Sequence, residues 1–190
     1  MRSIARSAEL DRMGTMINLH ITRQTFDFDC GAKALQTIMA YYGIDIREDE
    51  LMKELGTGKD GTRVDKMISI AESKGFRVEA KQHWSIRDVK RYIDKGHPVI
   101  VLLQAWAERY MTLKDWRNDY DDGHYAVVIG YTKGILVFDD PASFLRTWLR
   151  EYELLARWHD LDLGRNRKYE QFGMVLLGKE PVKQASEHMD

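Results

Sequence analysis

The chain has one cysteine, three prolines and almost no net charge. A single thiol cannot close an internal disulfide, so nothing here asks for an oxidising compartment. Pro98, Pro141 and Pro181 stand far apart, with no repeat or low-complexity tract, so no linker splits the 190 residues. Lysine and arginine number 29 against 30 aspartates and glutamates, a formal net charge of -1. A chain built to hold nucleic-acid phosphates carries an excess of Lys and Arg, so nucleic acid is excluded as the main partner. No stretch approaches the roughly 18 apolar residues of a membrane span. The N-terminal "MRSIARSAELDRMG" also lacks the apolar core of a secretory signal. These absences predict a cytoplasmic protein with no integral membrane segment. What remains suffices for one core, since 44% of the residues are hydrophobic.

Apolar spacing divides that core into two halves. Leu35, Ile38, Met39 and Tyr42 recur at helical spacing, with Gly43 as a C-terminal stop. "REDELMKEL", "GTRVDKMISIAESKG" and "SIRDVKRYIDKG" predict three further helices, Ser85 capping the last. "FRVEAK" predicts a short strand. The second half turns β-branched: "PVIVLLQAW", "HYAVVIGYT", "GILVFDD" and "EQFGMVLLG" predict strands. "SFLRTWLREYELLARW" predicts one amphipathic helix among them, with Phe144, Trp148, Tyr152 and Leu155 as its apolar stripe. Helices followed by an antiparallel sheet make an α+β fold. One domain is expected over 16–180, preceded by an extension of unknown role (1–15) and followed by a disordered tail (181–190).

The single thiol sits in "QTFDFDCGAKALQTIMAYYG". Cys30 opens the first helix, where free N–H groups and the helix dipole favour a thiolate. A lone cysteine is more often a small buried residue, so the flanking residues have to decide. A cysteine nucleophile needs a base, and the base needs a group to orient it. Of six histidines, His124 differs: it starts the strand "HYAVVIGYT", directly after the acidic loop "NDYDDG", a fitting station for a base that faces a cleft. The next strand ends in Asp139 and Asp140. A two-residue loop at Lys133 and Gly134 would put Asp139 on the His124 side. A three-residue loop from Thr132 would put Asp140 there. Either acid could fix the imidazole tautomer. Gln24, shortly before the cysteine, supplies an amide donor for an oxyanion, together with the Cys30 N–H.

The order Gln24, Cys30, His124, Asp is that of papain-like peptidases. "QTFDFDCG", "AYYG", "GHYAVVIGY" and "VFDDPA" together resemble the bacteriocin-processing, double-glycine-leader peptidase family. The resemblance spans residues 20 to 178. It implies a papain-like fold with the helical half packed on the antiparallel sheet. It also implies that Asp140, directly before Pro141, is the catalytic acid. The implied function is a stand-alone cysteine peptidase, acting on a peptide or protein after small residues such as Gly-Gly. An association with a separate export system is implied too, because many relatives are domains of peptide-exporting transporters. Two alternatives keep the scaffold: an acyl or peptidyl transferase, and a non-catalytic peptide-binding module. No cofactor is expected. "GTGKDGT" follows its lysine with Asp60, not the Ser or Thr of a phosphate loop. No histidine pair has metal-ligand spacing, and the acidic loop lacks the closing glutamate of a calcium site.

Overall fold

The computed structural model describes residues 14–19, 22–162 and 167–182. Residues 1–13 and 183–190, which make up most of the expected extension and tail, lie outside them. At the edges of this region, Thr15 lies in a short strand, β1 (Thr15–Met16), and the Val182 N–H donates to Tyr41 O at 2.9 Å.

The first half is helical. Helix α1 (Cys30–Tyr41) buries Ala32, Leu35, Ile38 and Met39 completely. Each large side chain among them contributes about 1.5–3 kcal/mol relative to exposure. Gly43 follows at φ +79°, a left-handed conformation that ends helices and suits glycine. Helices α2 (Glu48–Leu55) and α3 (Val64–Ser73) pack beside α1. After β2 (Arg77–Lys81), Ser85 begins α4 (Ile86–Ile93) with a capping box: Ser85 Oγ accepts from Asp88 N, and Asp88 Oδ2 accepts from Ser85 N.

The second half supplies β3 (Val99–Gln104), α5 (Leu113–Asn118), β4 (Gly123–Thr132) and β5 (Ile135–Asp139). Then come β6 (Thr147–Arg150), α6 (Glu151–Arg157), β7 (His159–Asp162), β8 (Arg167–Glu170) and β9 (Gly173–Leu177). One antiparallel sheet runs β2-β9-β3-β4-β5-β6, with β1 pairing on β4, while β7 and β8 form a separate ribbon. Strands β3 and β9 are buried at every residue. Helices α1 and α4 contact β4, and α6 contacts β3 and β6. That cover is why the central strands read as continuous apolar runs rather than alternating ones.

Two local expectations change. The helix expected over "SFLRTWLREYELLARW" is half strand: Thr147–Arg150 pair with β5, and only Glu151–Arg157 are helical. The free edge of β5 needs backbone partners, and Thr147 and Trp148 are strand-forming residues. The supposed apolar stripe of Phe144, Trp148, Tyr152 and Leu155 is exposed, whereas Leu154, Ala156 and Trp158 are buried.

The β4–β5 hairpin combines features of both expected registers. Thr132 pairs with Ile135, so the turn has two residues, Lys133 and Gly134. Such a turn alone would bring Asp139 to the His124 side. However, the register shifts between Val128 and Gly130, leaving Ile129 as an extra residue in β4. Below this bulge Val127 pairs with Asp139, so side-chain alternation places Asp140, not Asp139, on the face of Ala126 and His124. Gly130 sits at the bulge because β1 crosses there. A Cβ on it would lie 2.6 Å from Thr15 O and from Met16 Sδ.

Candidate active site

Cys30 is buried and begins α1, where the first N–H groups of a helix have no intrahelical partner. Gly31 next to it is a packing requirement. A Cβ there would lie 2.7 Å from Thr62 Cβ and 2.9 Å from Tyr125 Cδ2. Helix α1 can therefore approach β4 closely, and Tyr125 fixes the contact by donating from its hydroxyl to Thr62 O at 3.0 Å.

The helix is entered through a tight turn, 24–29. Asp29 occupies the N-cap position but makes no cap bond. Its Oδ2 instead accepts from the Thr25 and Phe26 N–H groups, each at 3.1 Å. The Gln24 N–H donates to Pro141 O at 2.9 Å, tying the turn to the residue after Asp140. The Gln24 side-chain Nε2 donates to Phe26 O at 2.7 Å. An amide nitrogen has two N–H bonds, so a second donor remains for a ligand.

On the sheet side, His124 Nε2 lies 2.7 Å from Asp140 Oδ1, with both side chains buried. Cys30 lies close enough to His124 to act on its ring through hydrogen bonding and charge. The imidazole thus bridges thiol and carboxylate, and the structure brings Cys30, His124 and Asp140 together. Burial disfavours the imidazolium, but bonds and charge from Asp140 and Cys30 outweigh it and raise the His124 pKa to about 9. Asp140 is pushed up by burial, yet His124 and the bonds from the Ala142 N–H and Thr147 hydroxyl hold it below the usual carboxylate range. Asp139 behaves in the opposite way. Burial and the charge of Asp140 raise it to about 7, with Arg146 opposing. Among the described residues no cluster of His, Cys, Asp and Glu could hold a metal ion.

Two further residues support this side without a sequence signal. Trp106 donates from Nε1 to Asp140 Oδ2 at 3.2 Å. It does so from a left-handed backbone, φ +65°, while the residue is 56% exposed. A tryptophan held in that strained region is uncommon away from functional sites. Its ring walls a cavity of about 220 Å³ that His124, Asp140, Phe138 and Leu149 also line. Gln104, fully buried, anchors the loop before His124. It accepts from the Asp122 N–H at 2.9 Å and donates to Asp160 Oδ1 at 2.8 Å. No periodicity marks either role, because both depend on where two loops meet.

Residues 18–168 match the family model for the peptidase C39 family. A protein of Methanothermobacter marburgensis, described only as uncharacterized, is 32% identical over 102 residues, covering 50% of this chain and 70% of its own. Solved structures with the same fold include the peptidase domain of Streptococcus ComA, a bifunctional ABC transporter of a quorum-sensing pathway. It is 21% identical, with TM-score 0.57, over 83% of this chain and 98% of that one. A double-glycine-motif protease from an AMS/PCAT transporter, solved with its leader peptide, matches at TM-score 0.58 and 15% identity over 91% and 97%. A C39-like peptidase from Bacillus anthracis matches at 0.64 and 14% over 87% and 98%.

Proposed function

Because this chain belongs to the peptidase C39 family and is a cysteine peptidase, we propose that Cys30, His124 and Asp140 hydrolyse a peptide bond, with Gln24 as oxyanion donor. The observation that carries this reading is the double contact of His124, to Cys30 on one side and Asp140 on the other. Asp140 holds the ring and stabilises its positive charge. The Cys30 thiolate attacks the scissile carbonyl carbon, and the carbonyl electron pair moves onto oxygen. That oxyanion is met by the Cys30 N–H at the helix start and by the free Gln24 amide N–H. His124 then protonates the departing amine as the C–N bond breaks, leaving a thioester on Cys30. A water attacks next, giving its proton to His124. The thioester collapses to a carboxylic acid and the thiol is restored.

The substrate we assign is a peptide with small residues, such as Gly-Gly, before the scissile bond. The support is the kinship with double-glycine proteases. The kinship with peptidase domains of transporters supports an export system as the partner that takes the product; no helix among the described residues is long and apolar enough to cross a membrane. The test is hydrolysis of a peptide containing Gly-Gly beside one with both glycines replaced by valine, each with and without an added amine. Cleavage of the first alone supports the assignment. Equal cleavage of both removes the small-residue rule, and amide formation with the amine would make the enzyme a transferase.

A further inference from the structure

Behind the turn that carries Gln24 lies a buried polar cluster the mechanism leaves unused. Asp29 is fully buried, and the Glu48 side chain is half-buried, 19% exposed. Asp29 Oδ2 accepts the Thr25 and Phe26 N–H groups. Glu48 Oε2 accepts from the Thr25 hydroxyl at 2.9 Å and from Lys33 Nζ at 2.7 Å. Lys33 also donates to Gln36 Oε1 at 2.9 Å. Each carboxyl keeps one oxygen, Asp29 Oδ1 and Glu48 Oε1, that is buried without a donor. Thr25 joins the two carboxyl groups as neighbours: its N–H donates to Asp29 Oδ2 at 3.1 Å and its hydroxyl to Glu48 Oε2 at 2.9 Å.

Two carboxylates cannot face each other in a buried site with both charges intact. A single proton shared between these neighbouring carboxyls removes one charge and leaves one negative charge to match Lys33. The proton belongs on Asp29. Burial pushes that carboxyl above its ordinary range, and Glu48 adds to the push, against the Phe26 N–H. Burial also disfavours the Glu48 carboxylate, but Lys33 and Thr25 outweigh it.

We propose that Asp29 is a positioning residue: it shares a proton with Glu48, and this bridge from α2 holds the 24–29 turn so that the Gln24 amide is aimed at the scissile carbonyl. The line of force is explicit. Glu48 holds Asp29, Asp29 holds the Phe26 N–H, and the Phe26 carbonyl holds Gln24 Nε2. The inference rests on the reading of Gln24 as oxyanion donor, and it assigns the acid before Cys30 to that donor rather than to the thiol.

The test compares Asp29→Asn with Asp29→Ala. An asparagine reproduces the protonated acid, accepting through its oxygen and donating to Glu48 through its nitrogen. Alanine does neither. Peptide hydrolysis should fall about 100-fold in Asp29→Ala, the effect of a small misplacement, with the loss in kcat, and should return toward wild type in Asp29→Asn. Cys30 alkylation by iodoacetamide should stay unchanged in both. At neutral pH the infrared band of a protonated carboxyl should be present in wild type and reduced in Asp29→Asn. Where Asp29→Ala does not fold, the Glu48→Gln and Glu48→Ala pair makes the same comparison from the other partner. In an active enzyme, an Asn variant as slow as Ala, or an unchanged band, overturns the bridge. Normal alkylation with no peptide hydrolysis in wild type overturns the peptidase reading instead, and the role of the turn with it.

Discussion

The two sides of the site are held by different kinds of structure. The thiol side is local. Gln24, Asp29 and Cys30 lie in one turn and the helix it opens, and the side chains of Gln24 and Asp29 bond to Thr25 and Phe26 within that turn. The imidazole side is long-range. His124 and Asp140 are 16 residues apart and meet only because β4 and β5 pair with an extra residue at Ile129. A local device is fixed by a few neighbouring residues. A long-range one depends on register, where a shift of one residue exchanges the two faces of a strand. Changes at the hairpin should therefore act on the proton, and changes at the turn on the oxyanion.

The largest expected effect breaks the long-range side. Asp140→Asn should lower kcat about 10⁴-fold, as when the acid of a triad is neutralised. It should also move the alkaline limb of activity. With His124 at about 9, the imidazolium persists through neutral pH and is lost as pH rises through 9. Without Asp140 that limb should fall to lower pH. Asp139→Asn should spare the limb and much of kcat, since Asp139 lies on the opposite face. Its mark should be on stability. A folded pKa of about 7 lies above the usual carboxylate value, so Asp139 weakens the fold as pH rises from about 4 to about 7. The Asn variant should melt higher than wild type at pH 8 and no higher at pH 4. A larger kinetic loss at Asp139 than at Asp140 would contradict the bulged register.

The next effect breaks the local side. Gln24→Ala should slow acylation about 100- to 1000-fold and leave Cys30 alkylation nearly intact, because alkylation builds no tetrahedral oxyanion. Equal losses in both rates would move Gln24 from the oxyanion to the thiol or the local fold. Smaller again is Trp106→Phe, which keeps the ring beside the cavity and removes its bond to Asp140. A kcat loss of about tenfold is expected, near 1.4 kcal/mol, and the alkaline limb should shift with it. An unchanged limb would leave Trp106 as a wall of the cavity only. The smallest kinetic change tests where the two sides join. Gly31→Ala should cost about 1–3 kcal/mol of stability by overpacking against Thr62 and Tyr125, read as a lower melting temperature. No loss would mean that α1 can shift on β4 at little cost.

The same contrast explains what the sequence discloses. Cys30 and His124 are legible as candidates because each stands near the start of an element, and Gln24 because it lies shortly before the cysteine, while the four helices of the first half follow their apolar spacing. The choice between Asp139 and Asp140 is not legible from alternation, since Ile129 looks like any other strand residue. It becomes a bulge only where Gly130 meets β1. Residues 144–158 mislead for a related reason. Exposed aromatics at helical spacing imitate a buried stripe, while the need of β5 for an edge partner leaves no mark in the local pattern. Trp106 and Gln104 act through tertiary contacts between loops, which no window of sequence contains.

The central claim is that His124 turns the sole thiol into a nucleophile for peptide carbonyls. Its most direct measurement is intact-mass detection of an adduct between Cys30 and a peptide vinyl sulfone at neutral pH, in wild type and in His124→Ala. The account predicts a single adduct that forms readily in wild type and barely at all in the variant. Failure of wild type to form it, or equal rates in both proteins, would contradict the account.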